Sequence, residues 1–296
     1  MSQKICVITG ANSGIGKAAA IQIARKGYRV IMACRNRERG EVALVEVRSE
    51  SGSDAVALMI VDMSSQASIR SFAEAFKSQY DALDVLIQNA AAFDVRSKTR
   101  HITEDGIESI WATNHLGPVL LTDLLLDALK RAEQGRVITI SSKGLIAHPF
   151  LKVDLDDPEF ERRKFSVQKA YYQSKLAQVM YTYWLADQLK DTPVTVNAIR
   201  VTNVRVDIDA RYPDSPWLMK RLYAIKSRFA ITPEQMAQTY TFLATSGEVR
   251  ETTGEYFDDP SHQVKSSAYS RDPENIEKVM TLTRSYLKVP EGAGAG

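Results

Sequence analysis

Cysteine and histidine are both scarce in this chain, at two and four residues among 296. So small a stock gives no disulfide framework and no cluster with metal-ligand spacing. Cys6 and Cys34 both fall in apolar, β-prone runs, which suits reduced thiols in a cytoplasmic protein. Long hydrophobic runs are missing too. No stretch approaches the roughly 18 consecutive apolar residues of a transmembrane helix. The first apolar run begins at Lys4, which is expected to leave no room ahead of it for a signal peptide or anchor. Charge of one sign is not in excess: the formal net charge is +2, and without a basic run there is no electrostatic case for nucleic acid. Internal repeats are absent.

What is present is an ordinary globular composition, 44% hydrophobic, set out in a regular alternation. Residues 4–9, 28–34, 55–61, 83–87, 136–140 and 194–199 form short apolar runs, with the length and residue types of buried strands. Between the third and fourth of them Ile69, Phe72, Ala73 and Phe76 recur at helical spacing. Strand alternating with helix predicts a doubly wound α/β architecture: a parallel sheet, helices on both faces, right-handed crossovers, and ligands at the carboxyl ends of the strands. The length is enough for one large core, and the alternation favours a single domain over residues 1–289. A glycine- and alanine-rich tail at 290–296 is predicted to be disordered. A long helix is predicted over 103–131, disturbed at Gly117-Pro118 because proline has no N–H to donate.

The chemistry concentrates at the predicted strand ends. The first strand runs into Gly10-Ala11-Asn12-Ser13-Gly14-Ile15-Gly16 and then an alanine-rich helix. Such a turn aims backbone N–H groups and a helix N-terminus at a pyrophosphate, and glycine keeps side chains out of its way or allows a positive φ. After the second strand stand Arg35 and Asn36, with no acid to bind an adenosine ribose. A cation there suits a 2′-phosphate, so NADP(H) is expected over NAD(H). Asp62-Met63 and Asn89-Ala90-Ala91 end the third and fourth strands, and Ser141-Ser142 the fifth. One of those serines is a candidate to grip a substrate oxygen, and Asn114, beside the Gly117-Pro118 disturbance, to hold an ordered water. Tyr171 and Lys175 lie four residues apart in a helix-compatible stretch, so they share a face. The ammonium can then favour the phenolate of a side chain that otherwise titrates at about 10, making it an acid or base usable near neutral pH.

Taken together, these residues resemble the short-chain dehydrogenase/reductase family. Thr103-Glu104-Asp105-Gly106, Asn114-His115-Leu116-Gly117-Pro118, Leu121-Thr122, Ser141-Ser142 and Ala170-Tyr171-Tyr172-Gln173-Ser174-Lys175-Leu176-Ala177 are most similar to its retinol-dehydrogenase-like branch. The resemblance spans residues 9–258. It implies a Rossmann-type sheet of about seven strands and a tetrad of Asn114, Ser142, Tyr171 and Lys175. In that scheme Tyr171 passes a proton to or from the substrate oxygen and Ser142 hydrogen-bonds that oxygen. Lys175 lowers the phenol pKa and contacts the nicotinamide ribose, while Asn114 holds a water that relays protons to Lys175.

Two departures from the family pattern stand out. After the sixth strand the family runs His-Pro-Gly and then a threonine for the nicotinamide amide, whereas this chain reads Arg200-Val201-Thr202-Asn203-Val204-Arg205-Val206. Val206 stands where that threonine is expected, and Thr202 or Asn203 is the expected substitute. Asn89-Ala90-Ala91 replaces the usual Asn-Ala-Gly, adding a methyl near the expected cofactor ribose. Substrate walls are predicted from two segments: a lid over 203–231 with Tyr212, Trp217, Leu218, Met219, Leu222 and Tyr223, and an insertion over 143–169 with Phe150, Phe160 and Phe165. The expected activity is interconversion of an apolar carbonyl compound and its alcohol. The alternative from another class is a weakly catalytic NADP-binding protein that senses redox state or regulates a partner. The helix over 166–190, with Val179, Tyr183 and Trp184, is a candidate homodimer surface.

Overall fold

In a computed structural model, which describes residues 3–205 and 230–287, eight strands form one sheet in the order β3-β2-β1-β4-β5-β6-β7-β8. The strands are β1 (Ile5–Thr9), β2 (Arg29–Cys34), β3 (Val56–Ile60), β4 (Val85–Gln88), β5 (Gly135–Ser142), β6 (Val194–Val201), β7 (Glu255–Asp258) and β8 (His262–Gln263). All neighbours pair in parallel except β7 and β8. The eighth strand, two residues long, is the one addition to the expected seven. Alternation along β1 shows how the sheet divides the core: Val7 packs on one face, and Cys6 and Ile8 pack on the other. Both faces are covered, so the strands read as continuous apolar runs.

Helices α1 (Gly14–Arg25), α2 (Arg37–Ser51) and α7 (Pro233–Thr245) cover the Cys6 face with residues such as Ala20, Val47 and Tyr240. The Val7 face is covered by α3 (Gln66–Lys77), α5 (Gly117–Arg131), α6 (Val167–Gln188) and α9 (Pro273–Leu287). Among the described residues there are also two short helices, α4 (Ser109–Trp111) and α8 (Ala268–Arg271). The strand order reverses between β1 and β4, which opens a crevice at their carboxyl ends. The lid residues 206–229 and the tail at 290–296 lie outside the described residues.

The helix expected from residue 103 begins only at Ser109. Residues 103–106 instead make a turn in which Gly106 takes a φ of +78°, closed by a bridge between Ile102 and Glu108. Asp105 is spent on the neighbouring helix, accepting from the Gln66 N–H at 2.8 Å. Glu108 then starts the new helix, its carboxylate accepting from the N–H groups of Ile110 and Trp111. The disturbance expected at Gly117-Pro118 takes the form of a π-helical turn, Ala112–Leu116, in which the Gly117 N–H bonds to the Ala112 carbonyl.

The surface of α6 that was a candidate dimer face is filled from within the chain. Val179 is fully buried, the Tyr183 hydroxyl donates to Ser266 Oγ at 2.8 Å, and the Arg284 guanidinium of α9 lies 4.6 Å over the Trp184 ring.

Gly117, at the start of α5, lies close against the chain that follows β3. A β-carbon there would lie 2.2 Å from the carbonyl oxygen of Met63, a backbone atom that cannot step aside. Gly117→Ala should therefore cost about 1–3 kcal/mol, typical of overpacking, and lower the thermal midpoint followed by circular dichroism. An unchanged midpoint would show that the two backbones are free to separate.

Candidate active site

The glycine turn occupies the start of the crevice. Gly10 and Gly14 take φ values of +67° and +54°, conformations that side chains disfavour. Gly16 is glycine for a different reason. A β-carbon there would lie 2.5 Å from Asn89 Nδ2 and 2.6 Å from the Gly10 carbonyl oxygen. Asn89 is the clasp of this corner, its Nδ2 donating to the carbonyls of Thr9 at 2.9 Å and Gly10 at 3.2 Å, while its Oδ1 accepts from the Tyr240 hydroxyl. The Ala90 N–H completes the join by donating to Thr9 Oγ1. Ala91 is exposed at the rim, so its methyl has open space beside it. Ser13 precedes α1 without a side-chain capping bond, and no acid occupies the first turn. With Ile15 half-buried behind them, the N–H groups at this helix start suit an anion.

At the neighbouring corner Arg35 is the extended cation. Its side chain is 76% exposed and touches Asp62 at only 4.0 Å, a pair worth little in water. Asn36 caps α2 by accepting from the Arg39 N–H. Asp62 does not cap α3. It accepts from Ser64 N–H and Oγ–H, and Ser65 supplies the cap. Met63 is buried against Gly117.

The tetrad residues converge across β5 and α6. Lys175 is 2% exposed; its Nζ donates to the Ile140 carbonyl at 2.9 Å and lies 5.7 Å from the Tyr171 ring centroid. Burial lowers its pKa from 10.5 to about 8. The two serines of β5 divide their roles. Ser141 is buried and committed, donating to the Lys175 carbonyl and accepting from the Tyr256 hydroxyl. Ser142 is half-buried and accepts from the Gly144 N–H at 3.2 Å. Among the described residues its own O–H has no acceptor, so it can donate to a bound oxygen.

The Asn114 side chain bonds within the chain through both its oxygen and its nitrogen. Its Oδ1 accepts from the Ala92 N–H at 2.6 Å, and its Nδ2 donates to the Ala92 carbonyl and to Ser174 Oγ, both at 3.1 Å. That amide keeps only one lone pair of Oδ1 for a water. The backbone carbonyl of Asn114 is a different matter, because its α-helical partner would be the N–H that Pro118 lacks. Thr202 is half-exposed at the start of a short loop, anchored where Asn203 and Arg205 bond to Ile231. Val206 lies outside the described residues.

Sequence reasoning missed several neighbours of Tyr171. Phe93 stacks on its ring with centroids 4.2 Å apart and planes 29° apart. The same wall holds Ile110, Phe160 and Ala170, with Ala92, Phe165 and Val167 packed against them. Phe160 and Phe165 of the insertion thus lie beside Tyr171, whereas Phe150 is 92% exposed and takes no part in the cluster. Asp157 stiffens the wall by accepting from the N–H groups of Glu161, Arg162 and Arg163. None of these contacts has a periodicity or motif that would betray it in sequence.

His115, next to Asn114, is also fully buried. Thr283 of α9 donates to the Val279 carbonyl, so its oxygen accepts from His115 Nε2–H at 2.7 Å. Gln178 donates to Nδ1 at 3.2 Å, which assigns the neutral tautomer.

A doubly wound sheet with a glycine turn at its switch point, and beside it a half-buried tyrosine next to a buried lysine, is the frame of a dinucleotide-dependent oxidoreductase. Comparison with known proteins narrows this. A family model described as short chain dehydrogenase matches residues 4–150. Retinol dehydrogenase 13 of Homo sapiens is 38% identical over 257 residues, 86% of this chain and 76% of that one. An uncharacterized protein from Mycobacterium paratuberculosis matches in structure with a TM-score of 0.74 at 28% identity, over 97% of this chain and 94% of that one. A short chain dehydrogenase from Shigella flexneri complexed with NADP shares the fold, with a TM-score of 0.65 at 23% identity over 87% and 97% of the two chains. The chain belongs to the short-chain dehydrogenase/reductase family of nicotinamide-dependent oxidoreductases. Among the described residues no helix is long and apolar enough to cross a membrane, and no group of potential metal ligands occurs.

Burial holds the His115 ring neutral, lowering its pKa from 6.5 to about 3. Unfolding frees the ring to take up a proton, so its contribution is complete above pH 6.5 and is lost as pH falls toward 3. Urea unfolding between these values should show a pH slope that lessens in His115→Asn by up to about 1.4 kcal/mol per pH unit. An identical slope in the variant would mean that the ring is protonated in the folded state.

Proposed function

We propose that the protein interconverts an apolar aldehyde or ketone and its alcohol, using NADP(H), with Tyr171 as the general acid or base. The observation that carries this reading is the burial of Lys175 against β5 with its ammonium beside the Tyr171 ring. A positive charge held there stabilises the negative charge that the phenol oxygen gains on giving up its proton. No structural purpose requires an ammonium in that place, since an apolar residue would fill the volume without the cost of burying charge.

The residues present fit the cofactor. The turn from Gly10 through Ser13, Gly14, Ile15 and Gly16 gives the pyrophosphate an approach free of side chains, and the α1 N-terminus carries no competing acid. Arg35, largely exposed and only loosely paired, would meet the 2′-phosphate that distinguishes NADP from NAD, with Asn36 beside it and Asp62 and Met63 bordering the adenine side. Asn89, Ala90 and Ala91 would border the ribose side, and Thr202 would meet the nicotinamide amide in place of the family's threonine. The Shigella flexneri relative complexed with NADP supports the same choice. When bound, NADP(H) supplies or accepts the hydride.

The chain's own groups handle the oxygen and its proton. In the reductive direction Ser142 donates a hydrogen bond to the carbonyl oxygen and Tyr171 gives it a proton. These donors are aimed before charge develops, which is where electrostatic stabilisation gains most. Lys175 offsets the phenolate left behind. The carbonyl of Asn114, released by Pro118, is the acceptor for a water that would return the proton by way of Lys175. Phe93, Phe160, Phe165 and Ile110 flank Tyr171 with apolar surface, which suits an apolar substrate, and the relative named retinol dehydrogenase points the same way. Both cysteines are free and buried, in keeping with a reducing compartment.

Tyr171→Phe removes only the hydroxyl. Turnover of NADPH with a reactive carbonyl should fall by a factor of roughly 10² to 10⁴, the range for loss of a general acid, while NADPH affinity stays close to that of the parent protein. A variant that keeps its turnover contradicts the assignment. A parent that binds NADPH but consumes none would favour the sensor or regulator reading.

A further inference from the structure

The loop after β6 lacks the Pro-Gly of its family, and another device stands close by. Asp258, the last residue of β7, is 7% exposed. Its Oδ2 accepts from two cations at once, Arg200 Nη2 at 2.7 Å and Lys143 Nζ at 2.9 Å. Its Oδ1 accepts from the Asp259 N–H at 3.0 Å. Arg200 is the last residue but one of β6, two residues before Thr202, and Lys143 directly follows Ser142. One carboxylate therefore joins the ends of three successive parallel strands.

We propose that Asp258 is a positioning residue that fixes the serine side of the site relative to the loop after β6, in the role of the absent Pro-Gly. The proposal rests on the reading of Ser142 and Thr202 given above. The ladder between β5 and β6 has its last pair at Ser142 and Val201. Beyond it the two chains part: residues 143–147 turn into a 3₁₀ helix, and residues 203–205 cross to Ile231. The Asp258 carboxylate straddles that parting, holding Arg200 just before it and Lys143 just after it.

Lys143 must reach over β6 to make it. Tyr256 spans the same gap one step lower, passing Ala198, the residue that pairs with it on β6, to donate to Ser141 Oγ at 3.2 Å. An ordinary surface ion pair would carry little weight, but this one is largely shielded. The Arg200 and Asp258 side chains are 14% and 10% exposed, and Arg200 Nε is buried without a hydrogen-bond partner among the described residues. Without the carboxylate two cations would face each other, and the arginine would be left nearly buried and uncompensated.

The test uses the full chain with Asp258→Asn, Lys143→Ala and Lys143→Arg. Hydrogen exchange is read by mass spectrometry over residues 143–147 and 202–205, and hydride transfer in a single turnover with NADPH. In Asp258→Asn exchange should rise in both segments together. In Lys143→Ala, whose side chain is 41% exposed, hydride transfer should slow roughly tenfold with NADPH affinity within about threefold, the pattern of misplaced reacting groups. Lys143→Arg should restore the rate. Exchange that rises in one segment only or in neither, or a Lys143→Ala rate within about twofold of the parent, overturns the proposal. Should Asp258→Asn fail to fold, the two Lys143 variants decide by the same readouts. A parent protein without turnover would defeat the functional reading instead, and the exchange measurement would still decide the role of Asp258.

Discussion

An ammonium group buried between β5 and α6 is the constraint around which this protein is arranged. Removing a charge from water costs several kcal/mol even after relaxation, and Lys175 is repaid in part by the Ile140 carbonyl at 2.9 Å. The residual cost shows as a pKa lowered by burial to about 8, so the group is still mostly charged at neutral pH. Holding it there demands a rigid surround. Ser141 fixes the helix backbone at Lys175, Ser174 ties back to the Tyr171 carbonyl, and Asn114 locks both Ser174 and the strand-end backbone at Ala92.

Close backbone approaches supply that rigidity. Gly16 brings α1 against Asn89 and Gly10, and Gly117 brings the π turn against Met63. Each removes a side chain so that two chain segments can meet. The first shapes the glycine-turn end of the crevice, and the second sets the distance between the chain after β3 and the turn that carries Asn114. His115 then couples that turn to α6 and α9 through Gln178 and Thr283. The C-terminal helix is thus joined to the catalytic end of the molecule rather than added to its outside.

Much of this was legible from sequence, for identifiable reasons. Strands buried on both faces need continuous apolar runs, so β1 to β6 were found within a residue or two of their ends. The glycine turn and the Tyr171–Lys175 spacing are local, and local geometry follows from residue type. The start of the helix before Asn114 was misjudged because Thr103-Glu104-Asp105-Gly106 is made of residues tolerated in helices, while tertiary bonds to Gln66 and Ile107 hold it as a turn. Phe93, Glu159 and Thr283 escaped notice because their partners are distant in the chain: Tyr171, Tyr286 and His115. The covering of α6 by α9 belongs to the same class. A helix face that is apolar in sequence reads the same whether a second copy or the chain's own end lies upon it.

The central claim is that a buried lysine, an adjacent tyrosine and a cation at the second strand end together make an NADP(H)-dependent carbonyl reductase. The most direct test titrates the purified protein with NADPH and NADH by fluorescence, then adds a panel of apolar aldehydes and ketones in the same cell. The account expects NADPH to bind at least roughly tenfold more tightly than NADH, about 1.4 kcal/mol, and to be consumed with at least one carbonyl. Equal affinity for the two nucleotides would contradict the role given to Arg35, and tight NADPH binding without consumption across the panel would contradict the reductase itself.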